Sequence, residues 1–308
     1  MAPHPYSILF ITIDSCRYDT FEAADAPNLK RVGPLYRAQA PGSFTFSSHS
    51  AMFMGFTPGV DDEIAYANPH YSRMFRLAGG DGAIPPWIRV SGANIIDGFR
   101  RLGYLTVGTG ATRWFNSDVL TARTLVRPFD KFFYPGDTHS LGLQVDFVMN
   151  VMKDVKEPLF LFINVGETHV PYWHEGASWP LDDGPCIAFR ETGNDPALCA
   201  LRQRACLEFV DTKLAPVLDQ FENANAIVCA DHGDAWGEGG QWGHGFHHPN
   251  VIEVPLMFRL VNPPTPTRPP TGTRPTRVDK VVRGASDALI ELGRPLRRKL
   301  GGWRNGIR

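Results

Sequence analysis

At 308 residues the chain is long enough to bury one large α/β core, and its formal net charge of −1 selects no class of partner. That balance hides an asymmetry: residues 263–308 carry eleven Lys/Arg against three Asp/Glu (+8), leaving twenty against twenty-nine (−9) for the rest. Five cysteines without a Cys-x-x-Cys pair argue against a disulfide framework, and no run reaches the roughly 18–20 apolar residues of a membrane span. With no secretory signal visible, a cytoplasmic location is the expectation.

Tyr6–Asp14 is a continuous β-branched and aromatic run, the pattern of a strand buried on both faces. Its closing Asp14 suits a metal ligand and, equally, a helix N-cap. Ala26–Val32 starts a short helix with Pro27 in its first turn. Between Pro41 and Gly55 hydroxyl residues give way to apolar ones, which predicts a helix ending at a Gly55 cap. Thr45 falls near the start of that helix. There it is either a plain N-cap with Ser48 beneath it, or a hydroxyl facing unpaired amides and the positive dipole end. Gly59–Pro86 is rich in breakers and reads as a lid or a substrate-selecting insertion.

Ser91–Leu102 has a helical pattern, with Ile95, Phe99 and Leu102 on one side, and Gly103–Val107 turns into a second strand. Leu141–Val155 is helical again. Pro158–Asn164 is another buried strand, followed at once by Glu167, His169 and Tyr172. Ala197–Phe221 is a long helix, and Ala226–Ala230 is a strand ending in Asp231-His232-Gly233, with His244, His247 and His248 further on. Val254–Arg259 makes one more strand. From Pro263 the chain turns Pro/Thr/Arg-rich, a stiff linker leading to a basic helix over 278–300. That helix either packs back on the domain or meets an anionic surface or a protein partner; a nucleic-acid role has the weakest support.

Strands alternating with long helices predict an α/β fold, a mostly parallel central sheet covered by helices on both faces. The expected division is a catalytic domain over 1–262 and a tail over 263–308. Parallel strands bring their carboxyl ends to one edge, where ligands bind in such sheets. Asp14, His169, Asp231 and His232 can therefore converge, and an Asp-His pair there suits zinc or manganese better than calcium or magnesium.

Taken together, these segments resemble the alkaline phosphatase superfamily, in its sulfatase-like branch, over roughly residues 6–262. The likeness rests on Ile-Leu-Phe-Ile-Thr-Ile-Asp14, on Ala-Pro-Asn-Leu-Lys-Arg, and on Thr45-Phe-Ser-Ser-His-Ser-Ala-Met-Phe-Met-Gly. It continues in Gly-Glu-Thr-His169-Val-Pro-Tyr and in Asp231-His232-Gly233 followed by Trp-Gly-His244-Gly. The resemblance implies that Asp14, Thr45, Asp231 and His232 hold one divalent metal and that Thr45 is the nucleophile. It places Ser48, His49 and Arg113 near the substrate anion, and gives His169 and His244 contact with the transferred group or proton delivery to the leaving oxygen.

The departures narrow the chemistry. Thr45 stands where sulfatases place the residue converted to formylglycine, with Ser47 and His49 at the family's Pro and Arg positions. Val165 replaces an Asp found in two-zinc members, Ser15 replaces the second Asp of the sulfatase pair, and Arg113 lies where a Lys is common. The reading is a hydrolase or transferase of small phosphate esters, phosphodiesters or phosphonate monoesters, passing through a phospho-Thr intermediate. The alternatives are a sulfuryl-ester hydrolase without formylglycine and an inactive relative that serves as a binding or scaffold protein.

Overall fold

The computed structural model describes residues 4–55, 75–79, 87–90, 92–188 and 192–261, so most of the Gly59–Pro86 segment and the whole basic tail lie outside the described residues. In chain order the main elements begin with strand β1 (Ile8–Ile13), helices α1 (Tyr18–Ala23) and α2 (Pro27–Lys30), strand β2 (Tyr36–Gln39) and helix α3 (Thr45–Met54). Strands β3 (Phe75–Ala78) and β4 (Trp87–Val90), helix α4 (Ile95–Arg101) and strand β5 (Leu105–Gly110) follow. Next come helix α5 (Leu120–Val126), strand β6 (Lys131–Phe133), helix α6 (Leu141–Met152) and strand β7 (Leu159–Val165). The described residues end with helix α7 (Pro196–Gln220), strands β8 (Asn225–Ala230), β9 (Ala235–Trp236) and β10 (Trp242–Gly243), helix α8 (Pro249–Ile252) and strand β11 (Glu253–Arg259).

Seven strands form one sheet in the order β2-β11-β8-β1-β7-β5-β6. The neighbours from β8 to β6 pair in parallel, whereas β11 is antiparallel to both β8 and β2. The strand expected over Val254–Arg259 is therefore present but reversed. Alternation along β1 divides the core. Leu9, Ile11 and Ile13 join Phe21 of α1, Leu29 of α2, Val148 of α6 and Leu207, Val210 and Leu214 of α7 on one face. Phe10 joins Phe46 and Phe53 of α3, Ile96 of α4 and Leu125 of α5 on the other. Strands covered on both faces need apolar residues on both sides, which is why β1 and β7 read as apolar runs broken only by Thr12 and Asn164.

The phenylalanine face matters most for the site. Phe162 is fully buried and meets the Phe53 ring edge-on at 5.1 Å. Each fully buried ring of this kind contributes about 2–3 kcal/mol by leaving water, which anchors α3 against the sheet. α3 starts after an extended Phe44 and ends at Gly55, whose φ of 62° is the left-handed cap that glycine adopts without strain.

Several elements left no trace in the sequence pattern. β2 is a four-residue edge strand that is mostly exposed, so it has no apolar alternation to show. Leu102, expected on the apolar side of its helix, lies just past the end of α4 and is 71% exposed. All five cysteines are buried free thiols. Among the described residues no helix is long and apolar enough to cross a membrane.

Candidate active site

The parallel register sets Ile13 beside Ala230, so the next residue of each strand emerges at the same edge. Asp14 and Asp231 are those residues. The Asp14 amide donates to the Val165 carbonyl at 2.9 Å, and Asp231 Oδ1 accepts from the amides of His232 at 2.9 Å and Ser15 at 3.3 Å. Ligand atoms of Asp14, Asp231 and His232 lie within 4.8 Å of one another, and all three residues are fully buried.

Thr45 is the first residue of α3, not its N-cap, which is Phe44. The first intrahelical bond of α3 is Ser48 N–H to Phe44 C=O at 3.1 Å, so the positive end of the helix lies at Thr45. Its Oγ1 donates to Asp14 Oδ2 at 3.2 Å and sits 3.5 Å from His232 Nε2. His232 donates Nδ1–H to the Gly233 carbonyl at 3.0 Å. The lone pair on Nε2 is thereby turned into the cluster, 3.6 Å from Asp14 Oδ1 and 3.7 Å from Asp231 Oδ2.

Such a cluster lacks positive charge. Burial, and then the neighbouring Asp14 charge, push the Asp231 carboxyl well above the usual carboxylate range, and Asp231 Oδ2 has no hydrogen-bond partner. Burial, reinforced by His244, lowers the His232 imidazole to about 4, so it is neutral near pH 7. Two buried carboxylates, a lone-pair nitrogen and a hydroxyl form a donor set that a divalent cation fits and that, among the described residues, no Lys or Arg pairs with. The backbone contact at Gly233 is the kind of outer support that fixes a ligating imidazole.

Two further histidines border the cluster. His169 follows β7 and donates Nδ1–H to the Val170 carbonyl at 2.8 Å; its ring centre lies 5.3 Å from that of His244. The His244 ring is 4.3 Å from His232, and its Nδ1 is 2.7 Å from Asp234 Oδ1. Burial lowers the His244 imidazole, but the charge and hydrogen bond of Asp234 outweigh it and hold the ring above its ordinary value. Conversely, burial raises Asp234, yet His244 with His232 and His169 keeps it below the usual carboxylate range.

The three residues expected beside the substrate anion are placed otherwise. Ser48 is fully buried and donates Oγ–H to the Asp231 carbonyl at 2.7 Å. His49 is fully buried between the rings of Phe53, Phe115 and Phe162, with one nitrogen on the Thr45 carbonyl and the other on Thr12. Both support the site from beneath, because their polar atoms are spent on the Asp231 and Thr45 carbonyls and on Thr12. Arg113 is exposed on a short 3-10 turn, Arg113–Phe115, and among the described residues it makes no ion pair with the cluster. Val165 is a buried apolar residue of β7. His248 caps α8 by accepting from the Asn250 amide at 3.1 Å, and His247 is exposed.

Sequence reasoning passed over Asp234 and His139. Asp234 adjoins the Asp-His pair but reads as an ordinary turn residue until its contacts are seen. His139 is nine-tenths buried, packs edge-on to Trp173 at 5.9 Å, and leaves Nε2 without a partner. No spacing in the sequence marks it.

No protein-family model and no curated protein matches this chain. Solved structures do. A phosphonate monoester hydrolase of Agrobacterium radiobacter superposes with a TM-score of 0.59 at 14% identity, over 83% of this chain and 68% of that one. The C-terminal periplasmic domain of phosphoethanolamine transferase EptC from Campylobacter jejuni gives 0.55 at 14% identity, over 84% and 80%. That of EcEptC from Escherichia coli, a complex with Zn, gives 0.54 at 13% identity, over 84% and 73%. The fold is the one that these hydrolase and transferase structures share. Within this fold, Asp14, Thr45, Asp231 and His232 occupy the carboxyl edge of the central sheet, where open α/β sheets bind ligands.

Proposed function

We propose that this protein is a metal-dependent hydrolase or transferase of phosphate esters, with phosphodiesters or phosphonate monoesters as substrates and Thr45 as the nucleophile. One observation carries the reading. A threonine hydroxyl at the positive end of a ten-residue helix lies 3.2 Å from Asp14, in a buried cluster whose Asp231 oxygen is unpartnered. Similarity to a phosphonate monoester hydrolase and to a phosphoethanolamine transferase domain supports the substrate class.

Asp14, Asp231 and His232, with Thr45, would hold the cation, zinc or manganese by the chemistry of the donors. Once bound it lowers the pKa of a nearby hydroxyl and stabilises charge on phosphoryl oxygens. The chain supplies the rest. The α3 dipole favours negative charge developing at Thr45. Thr45 Oγ forms the new bond to phosphorus as the bond to the leaving oxygen breaks, and His244 delivers a proton to that oxygen. Water or a second alcohol then releases the group from Thr45. A cluster with one cation neutralises a monoanionic diester better than a dianionic monoester, which favours diesters and phosphonate monoesters.

The full chain with zinc or manganese should hydrolyse bis-p-nitrophenyl phosphate and p-nitrophenyl phenylphosphonate, and Thr45→Ala should abolish turnover. Full activity in that variant refutes the reading. Preference for p-nitrophenyl sulfate would mark a sulfuryl-ester hydrolase, and stoichiometric metal without turnover on any ester would mark a binding protein.

A further inference from the structure

We propose that Asp234 is a positioning residue that sets the tautomer of His244 through a one-way chain of hydrogen bonds from Trp236 through Tyr172. The inference rests on the proton-transfer role given to His244 above.

The direction of the chain follows from what each group can do. Trp236 Nε1–H is a donor only and reaches Tyr172 Oη at 2.8 Å. Tyr172, with that lone pair occupied, donates its one hydrogen to Asp234 Oδ2 at 2.8 Å. The Asp234 carboxylate only accepts, so the hydrogen in its 2.7 Å contact with His244 belongs to Nδ1. Nε2 is then the nitrogen where His244 gains and loses protons, on the side of the ring away from Asp234. The rings bordering His244 are His232 at 4.3 Å and His169 at 5.3 Å.

The chain is held rigid. Tyr172 and Asp234 are fully buried and Trp236 nearly so. The Arg17 guanidinium stacks on Trp236 at 4.1 Å and donates to the Asp234 carbonyl at 3.3 Å, while Asp19 and Glu238 grip it at 2.6 and 2.7 Å. Tyr172 takes a left-handed φ of 57°, a conformation that is costly for a non-glycine residue. That cost is borne beside the candidate site, where the Tyr172 hydroxyl makes its two bonds.

Asp234→Asn tests the polarity. Tyr172 still needs an acceptor, so the amide oxygen should turn toward it and the amide nitrogen toward His244, forcing hydrogen onto Nε2. Adding Tyr172→Phe to Asp234→Asn removes that demand and lets the amide oxygen face His244 again. Nitrogen-15 NMR of histidine-labelled full-length protein, at a pH where the ring is neutral, reads the tautomer directly; loss of the signal in His244→Gln assigns it. The expected series is Nδ1–H in the parent, Nε2–H in Asp234→Asn, and Nδ1–H restored in the double variant. Nε2–H in the parent, or an unchanged tautomer across the series, overturns the proposal, and the parent spectrum decides even if Asp234→Asn fails to fold. In turnover, Asp234→Asn should lower kcat roughly 10²–10³-fold with KM little changed, Tyr172→Phe should recover part of it, and in the His244→Gln background Asp234→Asn should have almost no effect. Equal losses in both backgrounds would assign Asp234 a packing role. Absence of turnover in the parent refutes the catalytic reading alone and leaves the NMR series decisive for Asp234.

Discussion

His49 donates Nδ1–H to the carbonyl of Thr45 at 2.7 Å, one turn back along α3, while its Nε2 accepts from Thr12 of β1 at 2.8 Å. The imidazole therefore ties the first residue of the helix to the central strand. Asn164 of β7 extends the tie by donating to Thr12 Oγ1 at 3.3 Å. Burial lowers the ring to about 4, which keeps it neutral and preserves this pattern near pH 7.

Replacing His49 by Ala should therefore act on the Thr45 position without touching substrate. The change leaves the Thr45 carbonyl and the Thr12 hydroxyl short of partners and opens a cavity among phenylalanines. A loss of about 2–4 kcal/mol is expected in urea unfolding. In the same variant kcat should fall while KM for bis-p-nitrophenyl phosphate stays nearly constant.

Asp231→Asn should separate stability from cation binding. Because the folded Asp231 carboxyl is pushed above its unfolded value, ionising it weakens the fold as pH rises through and beyond the usual carboxylate range. An amide nitrogen in place of Oδ2 can donate to Asp14 instead of repelling it. With metal removed by chelation, the variant should be more stable than the parent at pH 8, by about 1–2 kcal/mol. Added zinc should raise the melting temperature of the parent and leave that of the variant unmoved. A variant less stable than the metal-free parent would show that Asp231 is neutralised some other way.

Glu167 offers a pH test away from the cation ligands. Its Oε1 accepts from the Leu141 amide at the start of α6 at 2.8 Å, its Oε2 has no partner, and burial raises the carboxyl to about 7. A folded pKa above the unfolded one means the native state holds the proton more tightly. Stability contributed by this group is thus present below about 4.5 and is lost as pH rises through about 7. Glu167→Gln keeps the acceptor for Leu141 and removes the titration. The variant should gain on the parent between pH 5 and 8, by up to about 3 kcal/mol. Parallel stability curves across that range would contradict this account.

Gly233 packs so closely that a Cβ would lie 2.1 Å from the Asn250 carbonyl oxygen. Gly233→Ala must push the Asp231-His232 turn away from α8, and a cost on the order of 1–3 kcal/mol is expected. Zinc affinity, measured by competition with a chelating dye, should fall along with stability.

Much of this architecture was legible in the chain itself. β1, β7 and β8 are apolar except at Thr12, Asn164 and Asn225 because both faces are covered, and each gives way to polar residues where its strand ends. Those breaks announced Asp14, Asp231 and His232, and the switch from hydroxyl to apolar residues announced α3 with Thr45 at its head. β2 and β6 are short and lie at the sheet's edges, and among the described residues β3 and β4 form a separate two-stranded pair, so none of them carried such a pattern.

What the chain could not disclose is direction. His49 and Ser48 stand one turn from Thr45 in any helix, but only the packing of α3 on Phe162 turns them toward the core rather than the edge. Asp234 and Tyr172 meet through two loops that follow different strands, so no spacing encodes their bond. Strand periodicity and strand ends are local properties of backbone and side-chain polarity, which sequence alone determines. Which faces meet, and which hydrogen goes to which nitrogen, depends on packing between distant segments, and that only the tertiary structure decided.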